Sequence, residues 1–201
     1  FGIVAIAKQS GKSMGIAGIA CSGATLLIGI IYVVVVFVFA LELFAMPFMM
    51  YGDDYYGAKL REILEEKGIK VEVEKVEKVV ALTKARCNFV KDLWANTDYF
   101  FIAPTEYDEK TRSKRWKENS PQDMKELVEF ISTLEDFSAH NAEQAVMQWI
   151  ADNGKHTGQV MNAFRLCVVG EGKGPHMFDI TEFIGKEETI RRVNVAIEAL
   201  S

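Results

Sequence analysis

The sequence has few of the residues from which small metal or disulfide frameworks are built. Its three cysteines, Cys21, Cys87 and Cys167, are an odd number at wide spacing, no Cys-Xaa-Xaa-Cys occurs, and no two of its three histidines stand at ligand spacing. This argues against a structural zinc site or a disulfide scaffold and fits a reducing compartment. Positive charge is also in deficit: 23 Lys and Arg against 28 Asp and Glu give a net charge of -5, so nucleic acid cannot be held by bulk charge and any such contact needs a local patch. Signatures of chemistry are missing too. No Ser or Cys is paired with His140, His156 or His176 in a recognisable pattern. Gln9-Ser-Gly-Lys-Ser13 lacks the first glycine of a phosphate loop, because position 6 is Ile6, and reads as a basic lead-in. Asp53-Asp54 has no further ligands at a suitable interval, so a solvated turn is expected there.

What is present divides sharply. The chain has 201 residues, enough for one or two domains, and 49% are hydrophobic. From Ser13 to Leu41 there is no charged residue, while nearly all ionisable side chains lie after Tyr51. As a helix, Met14 to Leu41 would extend about 42 Å, more than the roughly 30 Å of a bilayer core. The glycines 15, 18, 23 and 29 and the β-branched run from Ile30 to Phe39 weaken that reading and leave a buried strand as the alternative. Residues 1–50 are therefore expected to be an apolar segment of unknown role, either a membrane-type helix or a buried strand, and residues 51–201 a separate helical domain.

The second part has helical periodicity throughout. Leu60, Ile63 and Leu64 mark a short helix from Ala58 to Lys67, closed by Gly68. Val76, Val79, Val80, Thr83, Cys87, Val90 and Leu93-Trp94 recur at three and four and predict one longer helix starting near Val73. Ser120-Pro121-Gln122-Asp123 reads as a helix start with a serine cap and an acid in the capping-box position, followed by Met124, Leu127, Ile131 and Leu134 as the buried face. Ser138 begins another helix, with Ala142, Ala145, Val146 and Trp149-Ile150 inward and Gly154 as its stop, so two antiparallel neighbours are expected. Near the end, glycines separate three helices. Val160, Met161, Phe164, Cys167 and Val168 form one apolar face, Ile190, Val193, Ile197 and Leu200 another, and Gly170 to His176 is a tight loop. Cys87 and Cys167 are expected as small core residues.

Particular residues in this part carry a resemblance. Asn162, Arg165 and Gly170, then Gly174, Pro175 and Phe178, then Gly185, Lys186, Glu187 and Arg192 occur in an order that resembles the C-terminal part of bacterial glutamyl-tRNA synthetases. Upstream, Leu82, Arg86 and Leu93-Trp94, followed by Tyr99-Phe-Phe-Ile102 and Tyr107-Asp-Glu-Lys110, continue it, so that the resemblance covers about residues 70–200. It implies an all-α, multi-helical anticodon-binding domain of the helix-cage type. It also implies that the partners are tRNA-Glu and the catalytic domain of the same class I ligase, that ATP and magnesium serve the parent enzyme, and that the location is cytoplasmic. The family's His-Ile-Gly-His and Lys-Met-Ser-Lys-Ser signatures do not occur in this sequence. No catalytic residue is therefore expected, no cofactor, and no aminoacylation by this chain alone.

Under the resemblance, the residues matching Gly174 and Pro175 approach anticodon bases and the arginine matching Arg86 hydrogen-bonds one of them. His176 lies in the same loop. A read anticodon is single-stranded, so its base edges need aimed donors and acceptors. A Gly-Pro turn before a helix offers unobstructed main-chain groups, and an arginine offers a fixed donor fork. Lys110, Lys114, Arg115 and Lys117, with Arg112, form the densest basic run. They read either as a solvated face balanced by Asp108, Glu109 and Glu118 or as contacts to tRNA phosphate. Arg165 is expected to bond helix-end carbonyls or Asp179. Lys186, Glu187, Arg191 and Arg192 read as a charged first turn with i,i+4 pairs. The rival function is a membrane-anchored helical module that binds protein; a membrane enters as partner only if residues 14–50 span it.

Overall fold

The computed structural model describes residues 29–36, 53–87 and 89–200. The chain divides into two compact units, Phe1–Gly52 and Asp53–Ser201. In the first, residues 29–36 are helical, and the side chains from Ile30 to Val36 are exposed. The buried-strand alternative fails for this stretch. A β-branched run favours strands only where a pleated, half-buried surface receives it, and these side chains have no such cover. No helix among the described residues is long and apolar enough to cross a membrane. Cys21, the basic lead-in and the rest of the apolar run lie outside the described residues.

The second unit opens with α1 (Asp53–Glu66), packed on α2 (Val73–Thr83). Tyr56, Leu60 and Leu64 on α1 are buried with Val76, Val79 and Val80 on α2. Asp53 and Asp54, expected in a turn, are the first two residues of helix α1. At the other end Gly68, with φ of 70°, lets its own N–H reach the Glu65 carbonyl and the Ile69 N–H reach the Leu64 carbonyl, both at 2.9 Å.

The longer helix expected from Val73 onward stops at Thr83. Three 3₁₀ turns follow: Lys84–Arg86, Val90–Asp92 and Trp94–Asn96. Short polar side chains explain the break, because they bond the backbone locally. Thr83 Oγ1 donates to the Val79 carbonyl at 2.7 Å, Thr97 Oγ1 to that of Leu93 at 2.7 Å, and Asn96 Nδ2 to that of Asp92 at 2.8 Å. The periodic stripe survives the change of helix type: Cys87 and Leu93 are buried, and Val90 and Trp94 are partly buried.

Next come α3 (Asp98–Phe101), which buries Tyr99 and Phe100, and α4 (Glu109–Arg115), capped by Asp108 accepting from the Thr111 N–H at 2.7 Å. Then follow α5 (Ser120–Thr133) and α6 (Ala139–Asp152). The start of α5 differs from the sequence reading. Ser120 accepts from the Lys117 N–H at 2.8 Å, and Asp123, only 6% exposed, takes the Lys155 ammonium at 2.6 Å instead of closing a capping box. A buried carboxylate needs a full counter-charge, and the backbone at the cap cannot supply one. Helices α5 and α6 do touch, with Phe130 stacked on Trp149 at 5.7 Å between ring centroids, but α5 also lies against α7 (Thr157–Val169) and α9 (Lys186–Leu200).

Helix α7 is the axis of the unit. Val160, Ala163, Phe164, Leu166, Cys167, Val168 and Val169 are all buried, so it is enclosed on more than the single face its periodicity suggested. Around it pack α4, α5, α6 and α9, while α8 (Met177–Ile184) lies on α6, α3 and α9. All regular structure among the described residues is helical.

Arg192 departs furthest from expectation. It is 3% exposed; its Nη1 donates to the Tyr99 carbonyl at 2.6 Å and the Val168 carbonyl at 3.1 Å, and its Nε donates to Glu188 at 2.8 Å. It ties α3 and the end of α7 to α9 rather than serving as a surface charge. Glu188 also takes Arg191 through two bonds, at 2.6 and 2.7 Å, and these with Arg192 hold its carboxyl down at about 2, against an ordinary value of 4.5. A depressed native pKa gives stability that is complete above the unfolded value and is lost as pH falls through the native one. Glu188→Gln is therefore expected to lower stability at neutral pH and to flatten its decline between about pH 4.5 and 2. Urea melts at stepped pH test this, and an unchanged acid limb would remove Glu188 as its cause.

Candidate nucleic-acid interface

Between α7 and α8 the chain turns through Gly170 to His176. Gly170 and Gly174 have φ of 84° and 131°, left-handed values that L side chains rarely adopt. At Gly174 a second reason for glycine is steric. A Cβ there would lie 3.1 Å from Arg165 Nη1, 3.5 Å from the Tyr99 hydroxyl and 3.7 Å from Ile180 Cδ1. The bare backbone thus lies directly over an arginine and a phenol.

Arg165 comes from α7 and Tyr99 from α3. Arg165 Nη2 donates to the Pro175 carbonyl at 2.9 Å, so its partner is the loop itself and neither a helix-end carbonyl nor Asp179. Its Nη1 is buried with no hydrogen-bond partner. Burial pushes the Arg165 pKa down, Tyr99 opposes this, and the Arg86 guanidinium adds to it. Burial likewise pushes the Tyr99 phenol up; Glu171 acts in the same direction, and Arg86 and Arg165 act against it. Arg86, Arg165 and Tyr99 therefore share one electrostatic neighbourhood around Gly174, with Arg86 exposed at the end of its 3₁₀ turn. The site has an excess of donors over acceptors.

His176 stands at the N-terminus of α8, exposed, with Nε2 3.2 Å from a Glu143 carboxylate oxygen. Pro175 is buried. Helix α4 lies beside the same loop, since a Cβ on Gly172 would come within 3.2 Å of Thr111 Oγ1. On α4 and just after it, Lys110, Lys114, Arg115 and Lys117 are exposed. Of the acids expected to balance them, Asp108 caps the helix, Glu109 faces Arg112 of the same run at 3.7 Å, and Glu118 is exposed.

The sequence assigns Arg165 a structural bond only and does not single out Tyr99 for the site. Arg165 and Tyr99 are 66 positions apart and meet only through the packing of α3 against the α7–α8 loop. The motif containing Arg165 was visible; what it would touch was not. Among the described residues no group of three or more His, Cys, Asp or Glu could hold a metal ion.

The fold is an all-helical domain in which this loop joins two packed helices. Residues 45–197 match the family model described as the anticodon binding domain, and the chain belongs to that family. Over 138 residues it is 59% identical to a glutamate–tRNA ligase of Phocaeicola vulgatus and 56% identical to one of Bacteroides fragilis, alignments that take in 69% of this chain and 27% of each relative. The chain thus spans about a quarter of the length of these curated relatives. Among solved structures it is similar to a glutamate tRNA ligase from Elizabethkingia meningosepticum, with a TM-score of 0.72 and 37% identity over 81% of this chain and 32% of that one. A glutamate–tRNA synthetase from Elizabethkingia anophelis gives 0.65 and 36% over 80% and 30%.

Proposed function

We propose that this chain grips the anticodon loop of a glutamate-accepting tRNA as the RNA-reading portion of a glutamate–tRNA ligase. The observation that carries the reading is the exposed Arg86 beside a Gly174-Pro175 turn that Arg165 braces from beneath through the Pro175 carbonyl. A base edge that presents acceptors to the Arg86 donor fork is held, one that presents donors is not, and discrimination follows from that asymmetry. Gly174, lacking a side chain, leaves the main chain of the turn unobstructed, and His176 is exposed at the N-terminus of α8. Lys110, Lys114, Arg115 and Lys117 serve the phosphates, which sets affinity and register without reading sequence.

On this reading the helical unit, residues 51–201, is the RNA-binding domain. ATP and magnesium act in the catalytic portion of the ligase, where the carboxyl of glutamate is activated. The residues here contribute no bond-making step: they orient the tRNA so that its acceptor end meets that portion. A tRNA partner places the protein in the cytosol.

The test is titration with an anticodon stem-loop and a base-substituted partner at two salt concentrations. Arg86→Ala is expected to cost about 1–3 kcal/mol toward the cognate loop and little toward the substituted one. Replacing Lys114 and Lys117 together should weaken both RNAs alike and flatten the salt dependence. Equal losses on both RNAs for Arg86→Ala would show that it is no reader, and a parent chain that binds neither RNA sinks the proposal.

A further inference from the structure

Phe89 is the only Phe, Tyr or Trp among the described residues of the helical unit that is exposed, at 58%. An isolated exposed apolar residue ordinarily needs no explanation, but the setting of this one is unusual. Its backbone is fixed by a reciprocal pair of bonds, the Phe89 N–H donating to Asp92 Oδ2 at 3.1 Å and the Asp92 N–H to the Phe89 carbonyl at 3.0 Å. The turn that carries the ring is therefore fixed at its backbone, and the ring is exposed on it. It follows Arg86 by three residues, and the stretch from Lys84 to Asp92 carries Lys84, Arg86 and Lys91 against the single carboxylate of Asp92, in a chain whose net charge is -5. Lys91 Nζ stands 5.1 Å from the ring centroid.

We infer that Phe89 is a stacking platform for an unpaired base of the anticodon loop, with Lys91 placed for the adjoining phosphate. The inference rests on the function proposed above. Single-stranded bases are bound by aromatic faces next to cations, because every base has a π-face and each nucleotide carries a charge. A protein partner would instead favour an apolar patch around the ring, whereas the ionisable neighbours here are mostly cations. The turn also brings preorganisation: its backbone is already fixed, so binding a base does not have to order it.

The test uses this chain with the anticodon stem-loop carrying 2-aminopurine at each loop position in turn. Phe89→Leu, which keeps apolar bulk but not the π-face, should bind about tenfold more weakly, in the range of a lost base–aromatic stack. Phe89→Trp should keep the parent's affinity, and its indole fluorescence should be quenched on binding. One 2-aminopurine position should be quenched by the parent and by Phe89→Trp but not by Phe89→Leu. Thermal melting checks that each variant folds, which the exposure of the ring favours. Phe89→Leu binding as tightly as the parent, or affinity tracking apolar bulk alone, would overturn the stacking role while leaving the proposed function in place. A parent chain that fails to bind the stem-loop overturns both.

Discussion

Replacing Arg192 with methionine should lower the stability of the helical unit by about 3–5 kcal/mol, the range for removing one partner from a buried charged network. Methionine keeps most of the apolar stem but none of the donors. It would leave the Tyr99 and Val168 carbonyls facing the core without the N–H groups that now lie 2.6 and 3.1 Å away. Each orphaned acceptor costs about 1–3 kcal/mol. Relief from burying a guanidinium offsets part of this, since burial already disfavours its charge. Glu188 keeps Arg191 as partner, so no uncompensated carboxylate adds to the loss. For a unit of this size the melting temperature should fall by about 10–15 °C. Arg192→Lys should recover part of the loss, because one ammonium can reach one of the carbonyls but cannot span both with a planar fork. Calorimetry on the three proteins decides the matter; parent-like melting of Arg192→Met would mean that water or a repacked side chain satisfies both carbonyls.

The same residue shows where reading the sequence reaches its limit. Helical periodicity identified the helices that carry most of the core, because burial and the 3.6-residue repeat leave a direct trace: Leu60 and Leu64, Val76, Val79 and Val80, Val146 and Ile150, and Val193 and Ile197 are all buried. Periodicity cannot tell a polar residue that faces water from one that faces an orphaned carbonyl. Asp123 reads as a capping-box acid and Arg192 as one half of an i,i+4 pair, which it does form with Glu188, yet both are buried and bonded to groups far away in sequence: Lys155 for one, Tyr99 and Val168 for the other. The break of α2 at Thr83 was hidden for a related reason. A stripe at three and four continues through 3₁₀ turns almost as well as through α-helix, and the signal for the break lay in Thr83, Asn96 and Thr97, whose side chains bond the backbone.

The candidate site was legible in part. Gly174 and Pro175 stood out as a turn before a helix, and Arg86 through the resemblance. Arg165 is expected from the sequence to bond helix-end carbonyls or Asp179 and bonds the Pro175 carbonyl instead; that its second nitrogen is left without a partner follows only from the packing in three dimensions. That difference is physical. Which atom of a side chain goes unsatisfied depends on the shape of the cavity around it, here set by Tyr99, Ile180 and the absent Cβ of Gly174.

Gly170 provides the last expected result, because two effects coincide there that other glycines separate. Gly170→Ala should destabilise the unit by about 2–4 kcal/mol, combining the strain of a left-handed alanine with the cost of overpacking. The new Cβ would lie 2.8 Å from Pro104 Cβ and 2.9 Å from the Glu106 carbonyl oxygen, one a ring atom and the other main chain, and neither can swing aside as a flexible side chain would. The segment it would displace is also bonded to it, through the Asp108 N–H donating to the Gly170 carbonyl at 2.8 Å, and that segment leads into α4 and its basic run. Gly68→Ala is the control. Its φ of 70° is also left-handed at the end of a helix, but nothing lies within 4 Å of its Cβ position, so it should lose only about 1 kcal/mol to conformation. The excess loss at Gly170 measures the collision alone. It should be accompanied by weaker binding of both cognate and substituted stem-loops, because α4 carries the proposed phosphate contacts rather than those proposed for base readout. Equal losses at the two glycines would show that residues 104–108 yield to a methyl group, and that the loop and the basic helix are not rigidly joined at this point.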